Sequence, residues 1–221
     1  MLVGFRHFVA NGMASDGNPL DPSMFRLDLI HGSAIAAWYA LFFTQSLLIS
    51  VRNRQLHFKV GWSAVAIALA IAVTGPWVAT RSVQNTPSDF HFFGMQYSRF
   101  LLVMYTEITL YTGFVATAIF VRKKPRIHRA AMLLASLSLL TGATARMPFL
   151  YRVFGDTSWM GLFGPIFCLG AVLLLVRCAL TRSFDRWFAL GFATQVIVLV
   201  TSERLSLTKA WSTVAATILR S

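Results

Sequence analysis

Charged residues make up only 13% of this 221-residue chain, and just eight of them are acidic. A soluble domain carries roughly a quarter of its residues as charges, so the chain lacks the means to build a water-facing surface all round. Cysteine is also scarce. Cys168 and Cys178 lie on or near one apolar run, which suggests no disulfide framework and reports no redox compartment. There is no CxxC, no HExxH, no Gly-rich phosphate loop and no serine in a nucleophile-elbow context, so no familiar catalytic constellation is present. What the chain has in excess is apolar surface: 56% hydrophobic residues, 19 Phe, 6 Trp and a mean hydropathy of +0.63. That balance excludes a disordered chain, a disulfide scaffold and a nucleic-acid-binding domain, and it predicts an integral membrane protein.

A helix needs about 20 apolar residues to cross the hydrocarbon of a bilayer. Six stretches meet or approach this: Leu29 to Ser50, Val60 to Ala79, Phe100 to Val121, Ala130 to Met147, Met160 to Val176 and Trp187 to Thr201. The last is the weakest, being short and containing Gln195, although tilt or local thinning accommodates such a span. The predicted fold is therefore an all-α polytopic transmembrane bundle of six spans. Residues 1–28 form an external N-terminal segment, 29–201 the bundle and 202–221 an interfacial C-terminal tail. Gly75-Pro76-Trp77 is expected to kink or end the second span.

Charge fixes the expected orientation. The connections Arg52 to Lys59 and Arg122 to Arg129, with Arg177, Arg182 and Arg186, carry eleven of the twenty Lys and Arg with one acid, Asp185. Asp16, Asp21, Asp28, Asp89, Asp156 and Glu203 fall on the other side. By the positive-inside rule the basic loops face the cytoplasm of a bacterial inner membrane, where they are attracted to anionic lipid. Both termini are then external. The opening residues hold no cleavable signal, so one expectation is an upstream helix absent from this sequence, and the other is a short tail translocated without help.

Two halves of the chain resemble each other. A helix, a basic loop ending in His and a further helix occur at His57 and again at His128, 71 residues later. Each following helix carries a Thr-Gly (Thr74-Gly75, Thr141-Gly142) and then an Arg (Arg81, Arg146), at offsets that differ by several residues.

Glu107 is the leading candidate for chemistry, because an ionisable group at membrane depth is costly. Seven residues into its span, it lies roughly 10 Å below the external edge. His31 and Arg146 are the expected partners at similar depth, and Tyr111, at i+4, is placed to donate a hydrogen bond. On the first span His31, Trp38 and Gln45 recur every seven residues, which returns them to nearly one face. Together these six residues predict an external polar pocket for a small molecule, a lipid or a quinone. A structural salt bridge and ordinary core packing, or the role of a membrane-complex subunit, explain the same residues.

Two neutral imidazoles from different helices can also ligate a haem iron axially. His57 with His128, and His31 with His91, give a possible layout for haem b and electron transfer. Against it, paired haems in membrane cytochromes usually use two histidines about fourteen residues apart on one helix, and no span here shows that. Interface histidines that touch lipid head groups or helix ends remain the alternative.

Some of these residues form a wider pattern: His31-Gly32, Trp38, Gln45, Leu56-His57, Gly61-Trp62, then His128-Arg129-Ala130-Ala131-Met132-Leu133 and Arg146-Met147-Pro148. It resembles a group of uncharacterised bacterial multi-pass membrane proteins with an HG…W…Q…LH…GW pattern followed by H(K/R)xxML…R. The resemblance covers roughly residues 29 to 165. It implies a further N-terminal helix, of which Gly4-Phe5 matches the end, and seven spans in the complete form. It implies no activity.

Overall fold

The computed structural model describes residues 12, 13, 17, 19, 21–155 and 158–220. Gly4-Phe5, Asp16, Asn18 and Asp156 lie outside the described residues. In the N-terminal segment Gly17 has φ +84°, and an isolated bridge pairs Met13 with Pro19.

The first helix, α1 (Pro22–Ser50), starts seven residues earlier than its apolar run. Asp21 caps it by accepting the Ser23 N–H at 2.8 Å, and Pro22 sits in the first turn, where its missing donor costs nothing. Asp28 is therefore a helix residue and not part of an external loop. Arg52, at φ +61°, turns the chain into α2 (Arg54–Gly61), which Asn53 caps through Leu56 N at 3.1 Å. Trp62 alone separates α2 from α3 (Ser63–Gln84). Pro76 does not end this helix: α3 continues eight residues beyond it.

A two-stranded antiparallel hairpin, β1 (His91–Phe92) and β2 (Met95–Gln96), follows. Its two linking residues, Phe93 and Gly94, have φ of +51° and +73°, as a type I′ turn requires. Phe93 tolerates this because its ring is buried in the main core. Then come α4 (Tyr97–Phe120), α5 (Pro125–Ser138), the one-turn α6 (Thr141–Thr144), α7 (Pro148–Phe154), α8 (Ser158–Thr181), α9 (Arg186–Ser206) and α10 (Lys209–Arg220).

Among the described residues five helical stretches are long and apolar enough to cross a membrane: Pro22–Ser50, Arg54–Gln84, Tyr97–Phe120, Trp159–Thr181 and Arg186–Ser206. The expected fourth span is not one of them. It breaks at Leu139-Leu140, where the Leu140 N–H bonds Leu137 O at 3.2 Å in the tighter i→i+3 manner. The segment nevertheless runs the length of the bundle. Ala130 and Leu134 pack with Phe188 near the start of α9, whereas Leu137 and Ala145 join the core built by Phe93, Phe100, Phe163 and Leu199 at the other end. The weakest predicted span, in contrast, is an unbroken 21-residue helix.

That helix is fastened to α8 by Arg177, whose Nε donates to Asp185 Oδ2 at 2.8 Å and whose Nη2 reaches the same oxygen. The second carboxylate oxygen caps α9 at Phe188 N, 3.1 Å away. Residues 202–206 belong to α9, so the tail proper is α10. Its Trp211, Ile218 and Leu219 pack on the main core.

Candidate functional site

The polar residues of the bundle separate into two groups, and Gln45 is the residue that divides them. Fourteen residues below His31 on α1, it is displaced by about 21 Å along the axis. With its amide turned to satisfy its neighbours, it donates to His57 Nδ1 at 2.5 Å and accepts from Gly61 N at 3.0 Å. Gln45 therefore belongs with His57 at the basic end and not with Glu107.

At that end His57 and His128 lie within electrostatic range of each other. His128 Nδ1–H donates to Ala118 O at 2.9 Å, which leaves the Nε2 lone pair of the neutral ring available. His57 differs: accepting from Gln45 at Nδ1 puts its proton on Nε2, and a protonated nitrogen cannot ligate. Among the described residues no three His, Cys, Asp or Glu side chains cluster as a metal site would need. His91 is exposed on the hairpin, with Nδ1 against its neighbour Asp89 O at 2.7 Å.

The second group surrounds Glu107 on α4. Arg146 lies within electrostatic range of both Glu107 and Asp28. Its Nη1 donates to Gly142 O at 2.6 Å and its guanidinium sits 5.9 Å from the Phe92 ring centre. Thr141, at the start of α6, interacts with the Glu107 carboxyl but falls short of hydrogen-bond geometry. Glu107 Oε1, Thr141 Oγ1 and Tyr111 Oη are all shut off from solvent and have no hydrogen-bond partner among the described residues. Tyr111 thus does not donate to Glu107; its ring stands edge-on to Trp38 with centroids 5.0 Å apart.

His31 turns to α3 and not to Glu107. Thr74 Oγ1 gives its proton to Ala70 O at 2.6 Å, so His31 Nδ1–H must donate to Thr74 at 2.8 Å, and Nε2 keeps the lone pair. Trp38 Nε1 donates to Ser136 Oγ at 3.1 Å, and Tyr39 Oη donates to Ser136 O at 2.6 Å. These bonds tie α1 to α5 one turn below the break.

A further polar group was not singled out for this layer. Gln195 on α9 is fully buried and neither amide atom has a partner among the described residues. A Cβ on Gly191 would overlap Leu134 and meet Phe114 at 3.6 Å, so Gly191 is level with both. One turn on, Gln195 comes level with Ser138 and with the turn of α4 between Glu107 and Tyr111.

Asp28 and Thr141 were also missed as members. The signal for Asp28 was its place three residues before His31 on the same face, hidden because the apolar run begins at Leu29. A hydroxyl such as Thr141 gives no signal of its own. The two Thr-Gly pairs do share a use, since Thr74 on α3 and Thr141 on α6 each face an ionisable residue two helices earlier in the chain, His31 on α1 and Glu107 on α4. Two surface cavities, of about 410 and 280 Å³, lie at opposite ends of the bundle, and neither is lined by Glu107.

Comparison of the chain with protein-family models, with curated proteins and with solved structures finds no significant match.

Proposed function

We propose that this chain is a multi-pass protein of the bacterial inner membrane, crossing it six times with the broken α5–α6 segment as the fourth passage. Its basic loops lie on the cytoplasmic side, facing anionic lipid. Within the bundle, the layer around Glu107 binds a small amphipathic molecule with a hydrogen-bonding head, of the quinone or lipid class, and Glu107 exchanges a proton with it or for it.

One observation carries this: Glu107 faces the break between α5 and α6 at Thr141, with Oε1 and the Thr141 hydroxyl both buried and unpartnered among the described residues. Non-helical backbone at membrane depth persists where protein or a cavity surrounds it, and interrupted helices are a recurrent way of building midplane binding sites. Each unsatisfied buried group costs about 1–3 kcal/mol, which a ligand's own donors and acceptors recover.

The test uses the full chain in lipid nanodiscs with decylubiquinone as the probe, read by tryptophan quenching, and with extraction of any retained small molecule. Saturable quenching or a retained molecule in the wild type, lost in Glu107→Gln while the folded yield is kept, is the expected result. No bound molecule and no saturable quenching in the wild type sinks the proposal.

A second proposal, haem held by His57 and His128, is favoured by the electrostatic range between the two side chains and by the Ala118 carbonyl that orients His128, as partners of metal-bound imidazoles do. It requires the Gln45 amide and the His57 tautomer to reverse. A Soret band abolished by His128→Ala supports it; a colourless preparation from haem-replete cells ends it.

A further inference from the structure

At the end of the bundle opposite the basic loops, a cavity of about 410 Å³ opens between the last turn of α3, the stretch leading into the hairpin, the first turn of α4 and the end of α10. Its wall mixes polar and apolar surface and carries one sign of charge. Arg81 supplies a guanidinium that makes no ion pair among the described residues, Ser88, Ser98 and Gln84 supply hydroxyl and amide groups, and no lining residue is acidic.

The start of α4 adds to this. Tyr97 N–H is taken by Phe90 O at 3.1 Å, but Gln96, in the capping position, sends its side chain to Ser88 O at 2.9 Å and leaves the helix without a side-chain cap. The next amides, from Ser98 onward, therefore begin the helix beside the cavity with their donors uncommitted to a cap, and the helix dipole adds positive potential there. Gln84 Nε2 donates to Leu219 O at 3.2 Å, so the end of α10 is held as the opposite wall.

A guanidinium without an ion pair, uncapped helix amides and hydroxyls around a space with no carboxylate among its described lining residues form a set of donors with no acceptor of matching charge. We propose that this cavity binds a phosphate group. The volume exceeds a bare phosphate, which leaves room for an ester carrying carbon atoms past Leu219. The phosphate is that of a phospholipid headgroup at the membrane edge or of a free phosphorylated solute.

The test takes the full chain in detergent and titrates it separately with inorganic phosphate, followed by 31P NMR, and with phosphatidylglycerol, followed by native mass spectrometry. Binding of phosphatidylglycerol that millimolar phosphate does not displace identifies a headgroup site; binding of inorganic phosphate alone identifies a solute site. In either case Arg81→Gln should weaken binding about tenfold, the scale of one charge-assisted contact. Leu219→Trp, which fills the cavity and leaves Arg81 in place, should abolish it, and this variant decides the matter if Arg81→Gln does not fold. Absence of binding of either probe to the wild type, or equal binding by Leu219→Trp, overturns the proposal. The phosphate arm does not depend on the helices spanning a bilayer, so its outcome is separate from that of the spanning proposal.

Discussion

Ser136 shows how much a single hydroxyl can organise in an apolar interior. It receives the Trp38 N–H at 3.1 Å while donating to Met132 O at 3.1 Å, and its carbonyl takes the Tyr39 hydroxyl. Trp38 is 1% exposed, so its donor has no solvent to fall back on. Ser136→Ala should lower stability by about 1–3 kcal/mol by orphaning the indole N–H. Trp38→Phe, which removes the donor and some ring area together, should cost at least as much. The double variant should cost less than the sum, because both changes break one bond. Thermal unfolding of the purified protein measures all three, and strict additivity would show the bond to be worthless. Glu107 differs at this scale: its Oε1 has no hydrogen-bond partner among the described residues, so Glu107→Gln breaks no bond at that oxygen, and a loss of ligand retention larger than any change in melting temperature is the expected outcome.

At the scale of elements, close helix crossings rest on glycine. A Cβ at Gly191 would overlap Leu134 on α5, whereas one at Gly113 on the outer face of α4 meets nothing within 4 Å. Gly191→Ala should therefore destabilise by about 1–3 kcal/mol through overpacking. Gly113→Ala should be neutral or stabilising, since alanine favours helix by up to about 1 kcal/mol. Equal effects of the two in a denaturation series would contradict the packing described.

The α8–α9 connection adds a pH dependence. Burial pushes the Asp185 carboxyl up, but the hydrogen bonds from Arg177 and Phe188 outweigh this and hold it below its ordinary 3.8. A carboxyl depressed in the folded state contributes fully above its ordinary value, and that contribution is lost as pH falls through the folded value. Acid unfolding at pH below 3.8 should accordingly be less steep in Asp185→Asn, which has no proton to gain. Stability measured against pH from neutrality down to the acid limb checks this.

At the scale of the whole molecule, the arrangement predicts two chemically distinct ends. Cysteines introduced at Arg126 and at Gly94, in a background with Cys168 and Cys178 replaced, should label from opposite sides of the membrane in intact cells. Labelling from the same side would show that α4 does not cross. A third position at Gly155 tests the broken segment: it should behave as Gly94 does, because Gly161 packs against Phe93 and Gly155 itself.

Apolar length and charge alone marked five long helices and the basic loops, since burying some twenty backbone groups in hydrocarbon leaves little choice but helix. The same signal also set Glu107 inside a long apolar helix, where its Oε1 is buried. It gave no sign of the break in the fourth stretch, and it rated as weakest the sixth, which is an unbroken helix long and apolar enough to cross. Hydropathy counts side chains, whereas the break at Leu139-Leu140 and the continuity through Gln195 depend on what each turn packs against. Partner choice was likewise beyond it. The seven-residue repeat set His31, Trp38 and Gln45 on one face, yet each found a different neighbour, in Thr74, Ser136 and His57, because helices of about 40 Å present one face to several partners at different depths. Which helix runs alongside which, and at what level, is decided by glycine contacts and side-chain shape in three dimensions. That assembly alone brought Thr141 to the carboxyl that its place in an apolar run had already made conspicuous, and Asp28 within range of Arg146.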